Sequence, residues 1–179
     1  MFAVAYLLFG RLNIERIIYV VLIIASMLTG YLDDCAKNPW GEYKKGLLDL
    51  LIAVMVAITY INFNGCGLEF SALGISVELN PIVLGLLIVI LVWTSINVTN
   101  CADGVDGLSG TLTIISLATI YLLIELQEGD ADFSYSILLF IVCILGYLWS
   151  NETPSRMLMG DAGSRAKGSF IAIAIFKTG

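Results

Sequence analysis

Residues 79–102 read LNPIVLGLLIVILVWTSINVTNCA, and none of them is Asp, Glu, Lys or Arg. A run of that length and polarity reaches the roughly 20 residues that carry a helix across about 30 Å of hydrocarbon. Asn80 followed by Pro81 marks its start, an N-cap side chain ahead of a proline at the first helical position. Residues 107–124 and 133–151 are equally free of charge, and 17–32 is a shorter stretch of the same kind. Residues 46–64 carry only Asp49, near one end, from which its carboxylate is expected to reach the interface. These five segments read as full membrane spans.

Residues 1–10 and 168–176 are also apolar but too short to cross the bilayer, and they read as pieces of cut helices. The first lacks the basic start and small-residue cleavage site of a signal peptide that would be removed. The expectation is an all-α membrane protein: a polytopic bundle of five full spans plus two partial ones, forming one transmembrane domain over residues 1–179. Composition agrees, with 59% hydrophobic and 13% charged residues and a mean hydropathy of +0.92. A soluble domain has roughly 45–50% and about 25%. A net charge of -6 without a basic patch argues against a nucleic-acid partner. Cys35, Cys66, Cys101 and Cys143 form no Cys-x-x-Cys pair, so they suggest neither zinc nor a disulfide framework, only small buried or idle thiols.

Basic residues near span ends are retained on the cytoplasmic side. Lys37, Lys44 and Lys45 fall in one loop, and Arg156, Arg165 and Lys167 in another. Residues 64–78 contain no base, and 127–132 contain only the acids Glu128, Asp130 and Asp132. Threading the spans accordingly puts 64–78 and 127–132 outside and the loop 99–106 inside. Arg11 and Arg16 stand against this assignment, outvoted by six bases. Alternating Leu68, Phe70, Leu73, Ile75 and Val77 predict a small hairpin or flap in the outer loop 64–78. Trp40 and Trp149 fall near the inner interface, where amphipathic rings commonly sit.

Three polar clusters then share the inner face. Asp33 and Asp34 end a span, with Lys37 following; adjacent carboxylates repel, so water, a cation or nearby bases must offset their field. A solvated helix end would also accommodate this pair. In the run from Asn97 to Gly107 a polar residue recurs every third position, at Asn97, Asn100, Asp103 and Asp106, so neighbouring members would share a face of a helix. Gly104 and Gly107 loosen the backbone beside the two acids. The third cluster, Met159 to Ser164, places Gly160 and Asp161 among small residues flanked by Arg156, Arg165 and Lys167. Small residues let backbone N–H groups approach a phosphate, and the acid can hold a metal. A carboxylate at a helix centre costs about 2.5–3.5 kcal/mol, which acids at helix mouths avoid. Oxygen ligands of this kind suit Mg²⁺, which keeps water and substrate phosphates in its remaining positions. With no histidine in the chain, an imidazole base and a zinc site are disfavoured and any base is a carboxylate.

The Asp-Asp pair after an apolar span, the Asn-x-x-Asn-x-x-Asp-Gly-x-Asp-Gly run and Met-Gly-Asp-Ala-Gly-Ser, in that order, resemble the polyprenyl-phosphate N-acetylhexosamine-1-phosphate transferases. Asn-Cys-Ala-Asp-Gly-Val-Asp-Gly-Leu-Ser-Gly is most similar to the phospho-N-acetylmuramoyl-pentapeptide transferase branch, whereas the alanine of Met-Gly-Asp-Ala-Gly-Ser is more typical of N-acetylglucosamine-1-phosphate transferases. The resemblance implies a ten-helix, homodimeric enzyme of the bacterial inner membrane that uses Mg²⁺. It would pass phospho-MurNAc-pentapeptide from UDP-MurNAc-pentapeptide to undecaprenyl phosphate, yielding lipid I for peptidoglycan and releasing UMP. By the same resemblance Asp161 is the metal ligand, with Asn100 as a second, and Asp33 and Asp34 lie beside the lipid phosphate, one as base. Asn97, Asp103, Gly104 and Asp106 line the nucleotide pocket with Gly160 nearby, and Lys37 and Lys45 neutralise the diphosphate. Further helices before Met1 and after Gly179 and a histidine-rich loop are also implied, so the chain is expected to be truncated at both ends. Leu158 replaces an aromatic residue of the family pattern. A GlcNAc-1-phosphate transferase and, more remotely, a cation transporter are the competing readings, since intramembrane acids often mark ion paths.

Overall fold

The computed structural model describes residues 2–9, 13–38, 40–70, 75–127, 129–151 and 156–178. In chain order the elements are α1 (Phe2–Phe9), α2 (Ile14–Asp34), α3 (Glu42–Asn64), β1 (Gly67–Phe70), β2 (Ile75–Glu78), α4 (Pro81–Ala102), α5 (Leu108–Leu126), α6 (Ala131–Asn151) and α7 (Gly160–Phe176). The helices α2 to α6 are the five that are long and apolar enough to cross a membrane. The protein is thus a polytopic helical membrane protein. The hairpin expected in residues 64–78 is formed, with β1 and β2 paired antiparallel and Gly67 opposite Glu78.

Helix α4 shows why composition fixes the spans but not their facing. Leu84, Ile88, Val92 and Ile96, spaced by four, are completely buried, while Leu86, Leu87 and Ile90 of the same helix are exposed. A helix apolar all round suits an environment in which the face turned away from the protein meets lipid. At its start Asn80 Oδ1 accepts the Ile82 N–H at 2.9 Å, the predicted cap.

Helix α7 corrects the sequence reading. The segment expected to be a loop followed by a partial helix is continuous helix from Gly160, so the Met-Gly-Asp-Ala-Gly-Ser motif is its first turn. It packs against α2, α4 and α5, and most of its residues from Ser164 to Ala174 are buried, Arg165 and Lys167 included. Small residues make this central position accessible, as they do generally where membrane helices approach closely. A Cβ added to Gly168 would stand 2.6 Å from Ile96 Cα and 2.7 Å from the Ser95 carbonyl oxygen, and Ser95 Oγ donates to the Gly168 carbonyl at 2.8 Å. On the α2 side a Cβ on Gly30 would meet the Asp161 carbonyl carbon at 2.5 Å, and Ser169 Oγ donates to Ser26 Oγ at 3.0 Å.

At the end of the bundle where α2 begins, the helices are tied by charge. Glu15 of α2 accepts from Asn64 of α3 at 2.8 Å and pairs with Lys177, just past α7, at 2.7 Å. Arg16 lies 2.6 Å from Asp130 and 3.6 Å from Asp132. Burial works to raise the Asp130 carboxyl, yet the bond and charge of Arg16, with the Phe133 and Asp132 amides, hold it below the ordinary carboxylate range. Arg16 is therefore neutralised where it stands; Arg11 lies outside the described residues.

Because the α4–α7 contact leaves no room beyond hydrogen at residue 168, Gly168→Leu is expected to lower stability by at least about 1–3 kcal/mol through overpacking. Gly146, with no atom within 4 Å of an added Cβ, is the matched control. Thermal unfolding in detergent checks this: Gly168→Leu unfolds at clearly lower temperature and Gly146→Leu close to wild type.

Candidate active site

The C-terminus of α2, the N-termini of α3, α5 and α7 and the C-termini of α4 and α6 meet at the end opposite the Glu15 and Arg16 pairs, and all three polar clusters gather there. Asp33 and Asp34 close α2, an awkward place for two acids because the helix dipole there is negative. Neighbouring helices compensate. Lys45 Nζ lies 2.5 Å from Asp33 Oδ2, and the Trp40 N–H donates to Asp33 Oδ1 at 2.7 Å. Asp34 Oδ2 accepts the Ala162 N–H at 3.3 Å, so a carboxylate ending α2 caps the positive N-terminus of α7. Gly160 makes the approach feasible: its φ is +64°, and a Cβ there would stand 2.6 Å from Asp34 Oδ2.

Asp161, in the first turn of α7, faces the same ammonium. Lys45 Nζ donates to Asp161 Oδ2 at 3.3 Å, and Arg165 Nη2 is 3.9 Å from that oxygen. One turn deeper, Arg165 Nη1 donates to Asp49 Oδ1 at 2.7 Å, with both side chains at most 3% exposed. Asp49 therefore does not reach the interface as expected; it is buried in an ion pair. Isolated buried charges are very costly, and pairing is what makes them tolerable.

The second cluster is organised by Lys167, whose buried ammonium lies 2.9 Å from Asp103 Oδ1 and donates to Ser109 Oγ. The expected continuous helical face from Asn97 to Asp106 is not formed, because α4 stops at Ala102 and Asp103 is its C-cap. The chain turns through Gly107, φ +75°, whose N–H donates to Asn151 Oδ1 at 2.8 Å. Asn151 in turn donates to the Met157 carbonyl at 2.8 Å, tying this turn to the segment before α7. Asn97 is exposed and donates back to the Trp93 carbonyl at 2.8 Å, while Gly104 and Asp106 are exposed in the turn. Asn100 is half-buried in the last turn of α4, and among the described residues its side chain has no hydrogen-bond partner. Lys37 is exposed and, among the described residues, unpaired.

The structure thus joins Asp33, Asp34, Lys45, Gly160 and Asp161 directly, and it joins Asp103 to the same helix through Lys167. Sequence reasoning treated Arg165 and Lys167 as loop bases and did not single out Asp49, Ser109 or Asn151. A lone acid within an apolar span and two bases among small residues were the available signals. Among the described residues no group of three or more His, Cys, Asp or Glu is drawn together as a metal site. The donor set of Asp33 and Asp161, two carboxylates converging on one cation, fits a hard ion that takes one or two protein carboxylates and completes its shell from water and phosphate. Among the described residues no hydrogen bond joins Asn100 to Asp161.

Residues 16–179 match the family model described as glycosyl transferase family 4. Proteins named phospho-N-acetylmuramoyl-pentapeptide-transferase are similar to this chain. One from Treponema pallidum (strain Nichols) is 36% identical over 99% of this chain and 54% of its own length. One from Symbiobacterium thermophilum is 30% identical over 87% of this chain and 49% of its own, and one from Wolbachia pipientis wMel is 27% identical over 93% and 53%. The chain therefore spans about half the length of these relatives. Their match bears out the family resemblance read from the three motifs, and the chain belongs to glycosyl transferase family 4.

Proposed function

We propose that this chain carries much of the transfer site of an integral-membrane phospho-sugar transferase of the bacterial inner membrane, acting at the cytoplasmic face on UDP-MurNAc-pentapeptide and undecaprenyl phosphate to give lipid I and UMP. The observation that carries the reading is Lys45 of α3 held between Asp33 of α2 and Asp161 of α7, which brings together two acids 128 residues apart in sequence. The names of the relatives support the choice of donor and acceptor.

In this reading an oxygen of the lipid phosphate attacks the phosphorus attached to the sugar. The bond from that phosphorus to the bridging oxygen breaks, and UMP departs with the electron pair. Asp33 or Asp34 takes the proton that a phosphate monoester still partly carries near neutrality, its second pKa being about 6. Lys45 and Lys37 offset charge on the diphosphate. Asp103, with Gly104 and Asp106 in the turn and Asn97 on α4, faces the nucleotide, and Gly160 lets Asp34 close on the α7 N-terminus beside the phosphates. Asp161 with Asp33 or Asn100 would hold Mg²⁺, which would supply charge neutralisation at the diphosphate. The remaining work is positioning, the main contribution open to a protein in phosphoryl transfer. Homodimerisation belongs to the same proposal.

UMP release measured in membranes bearing the protein, with UDP-MurNAc-pentapeptide and undecaprenyl phosphate, tests the proposal. Asp161→Asn is expected to reduce kcat by about 10²–10³-fold or more, the scale of losing one preorganised electrostatic group, and retained turnover would remove Asp161 from the mechanism. With UDP-GlcNAc offered instead, wild type is expected to release no UMP; activity with that donor alone would transfer the assignment to GlcNAc-1-phosphate transfer.

A further inference from the structure

Lys45 and Asp49 lie four residues apart on α3, and Asp161 and Arg165 lie four residues apart on α7, so each pair shares one face of its helix. The two faces meet with charges alternating around a square. Near the helix ends Lys45 joins Asp161 at 3.3 Å; one turn deeper Arg165 joins Asp49 at 2.7 Å; and along α7 Arg165 Nη2 stands 3.9 Å from Asp161. The deep side is dry, Asp49 and Arg165 being 2% and 3% exposed, whereas Asp161 and Lys45 at the mouth are 24% and 19% exposed. The Arg165 Nε is buried without a hydrogen-bond partner among the described residues, so one donor has been left unsatisfied while the fork is aimed at the two acids.

We propose that Arg165, clamped by Asp49, is a positioning residue that fixes the direction of the Asp161 carboxylate, and that Asp49 acts through it; the proposal rests on Asp161 belonging to the transfer site. A guanidinium is suited to the task because its plane is fixed by the bond to Asp49 while its second nitrogen stays 3.9 Å from Asp161, whereas an ammonium is a point charge with no set plane. The backbone of Asp161 is already pinned, since Gly30 packs on its carbonyl and Asp34 takes the next-door amide of Ala162. Its side chain is left to turn about χ1 and χ2, and the two cations of the square, Lys45 above and Arg165 below, restrict that motion. A pair serving only to hold α3 against α7 would not need the second guanidinium nitrogen turned toward Asp161.

The test separates holding from aiming. In the doubly apolar variant Asp49→Leu with Arg165→Leu the buried pair goes as a unit, and replacing such a pair by packed aliphatic groups commonly keeps the fold. Its thermal unfolding in detergent is expected near wild type, with kcat for UMP release reduced about 10–100-fold, the scale of losing an outer partner of a functional ligand, and KM for both substrates little changed. Arg165→Lys keeps the charge and loses the fork, so it is expected to fold and to show an intermediate kcat; it carries the test should the double variant fail to fold. A double variant, or Arg165→Lys where that variant does not fold, that is folded and turns over at the wild-type rate would overturn the proposal. Absence of UMP release in the wild-type protein would instead overturn the transferase reading itself, so the two failures are distinguishable.

Discussion

Two cations buried in one central helix, Arg165 and Lys167, organise this protein. Neither is tolerable in a low-dielectric interior without an acid at hand, and the acids come from different elements: Asp49 from α3 for Arg165, Asp103 at the end of α4 for Lys167. Satisfying both pairs sets how far α7 is inserted and how it is rotated about its axis. The glycines at 30 and 168 let α2 and α4 close on it at backbone contact. Once α7 is seated, Asp161 faces Lys45 and Asp33, and the Ala162 amide faces Asp34. The site is thereby a consequence of how the central helix resolves its own buried charge.

Much of this was legible in the sequence, and the parts that were not share a physical cause. Spans such as α4 declare themselves because bilayer thickness demands long uncharged runs, and the hairpin because its residues alternate. Helix α7 was hidden, since Asp161, Arg165 and Lys167 within seven positions resemble a solvated loop until their partners are known, and those partners are more than fifty residues away in sequence. Asp49 was misplaced for the same reason: a lone acid in a span is read as reaching for the interface when no cation is seen for it. The every-third-residue run from Asn97 to Asp106 suggested one helical face, but helix geometry holds only to Ala102, and the Gly107 turn with its Asn151 bond redirects the rest.

The convergence of the three clusters was the most accurate part of the sequence reading, because it depended only on span count and on which ends carry acids. The individual contacts depended on side-chain reach. Lys45 was expected to meet a diphosphate and is found between two carboxylates; Lys37 remains exposed. An ammonium shared by two acids marks a position whose field favours a cation.

The ends of α2 and α7, distant in sequence, touch at the acid cluster. In a variant with its four cysteines replaced, Asp34→Cys and Ala162→Cys can be oxidised and the linked peptides sought by mass spectrometry. That intramolecular disulfide is expected to form rapidly, whereas a Cys pair placed at Asp34 and Asp130 on opposite ends stays reduced. No link between 34 and 162 under conditions that oxidise a neighbouring control pair would contradict it.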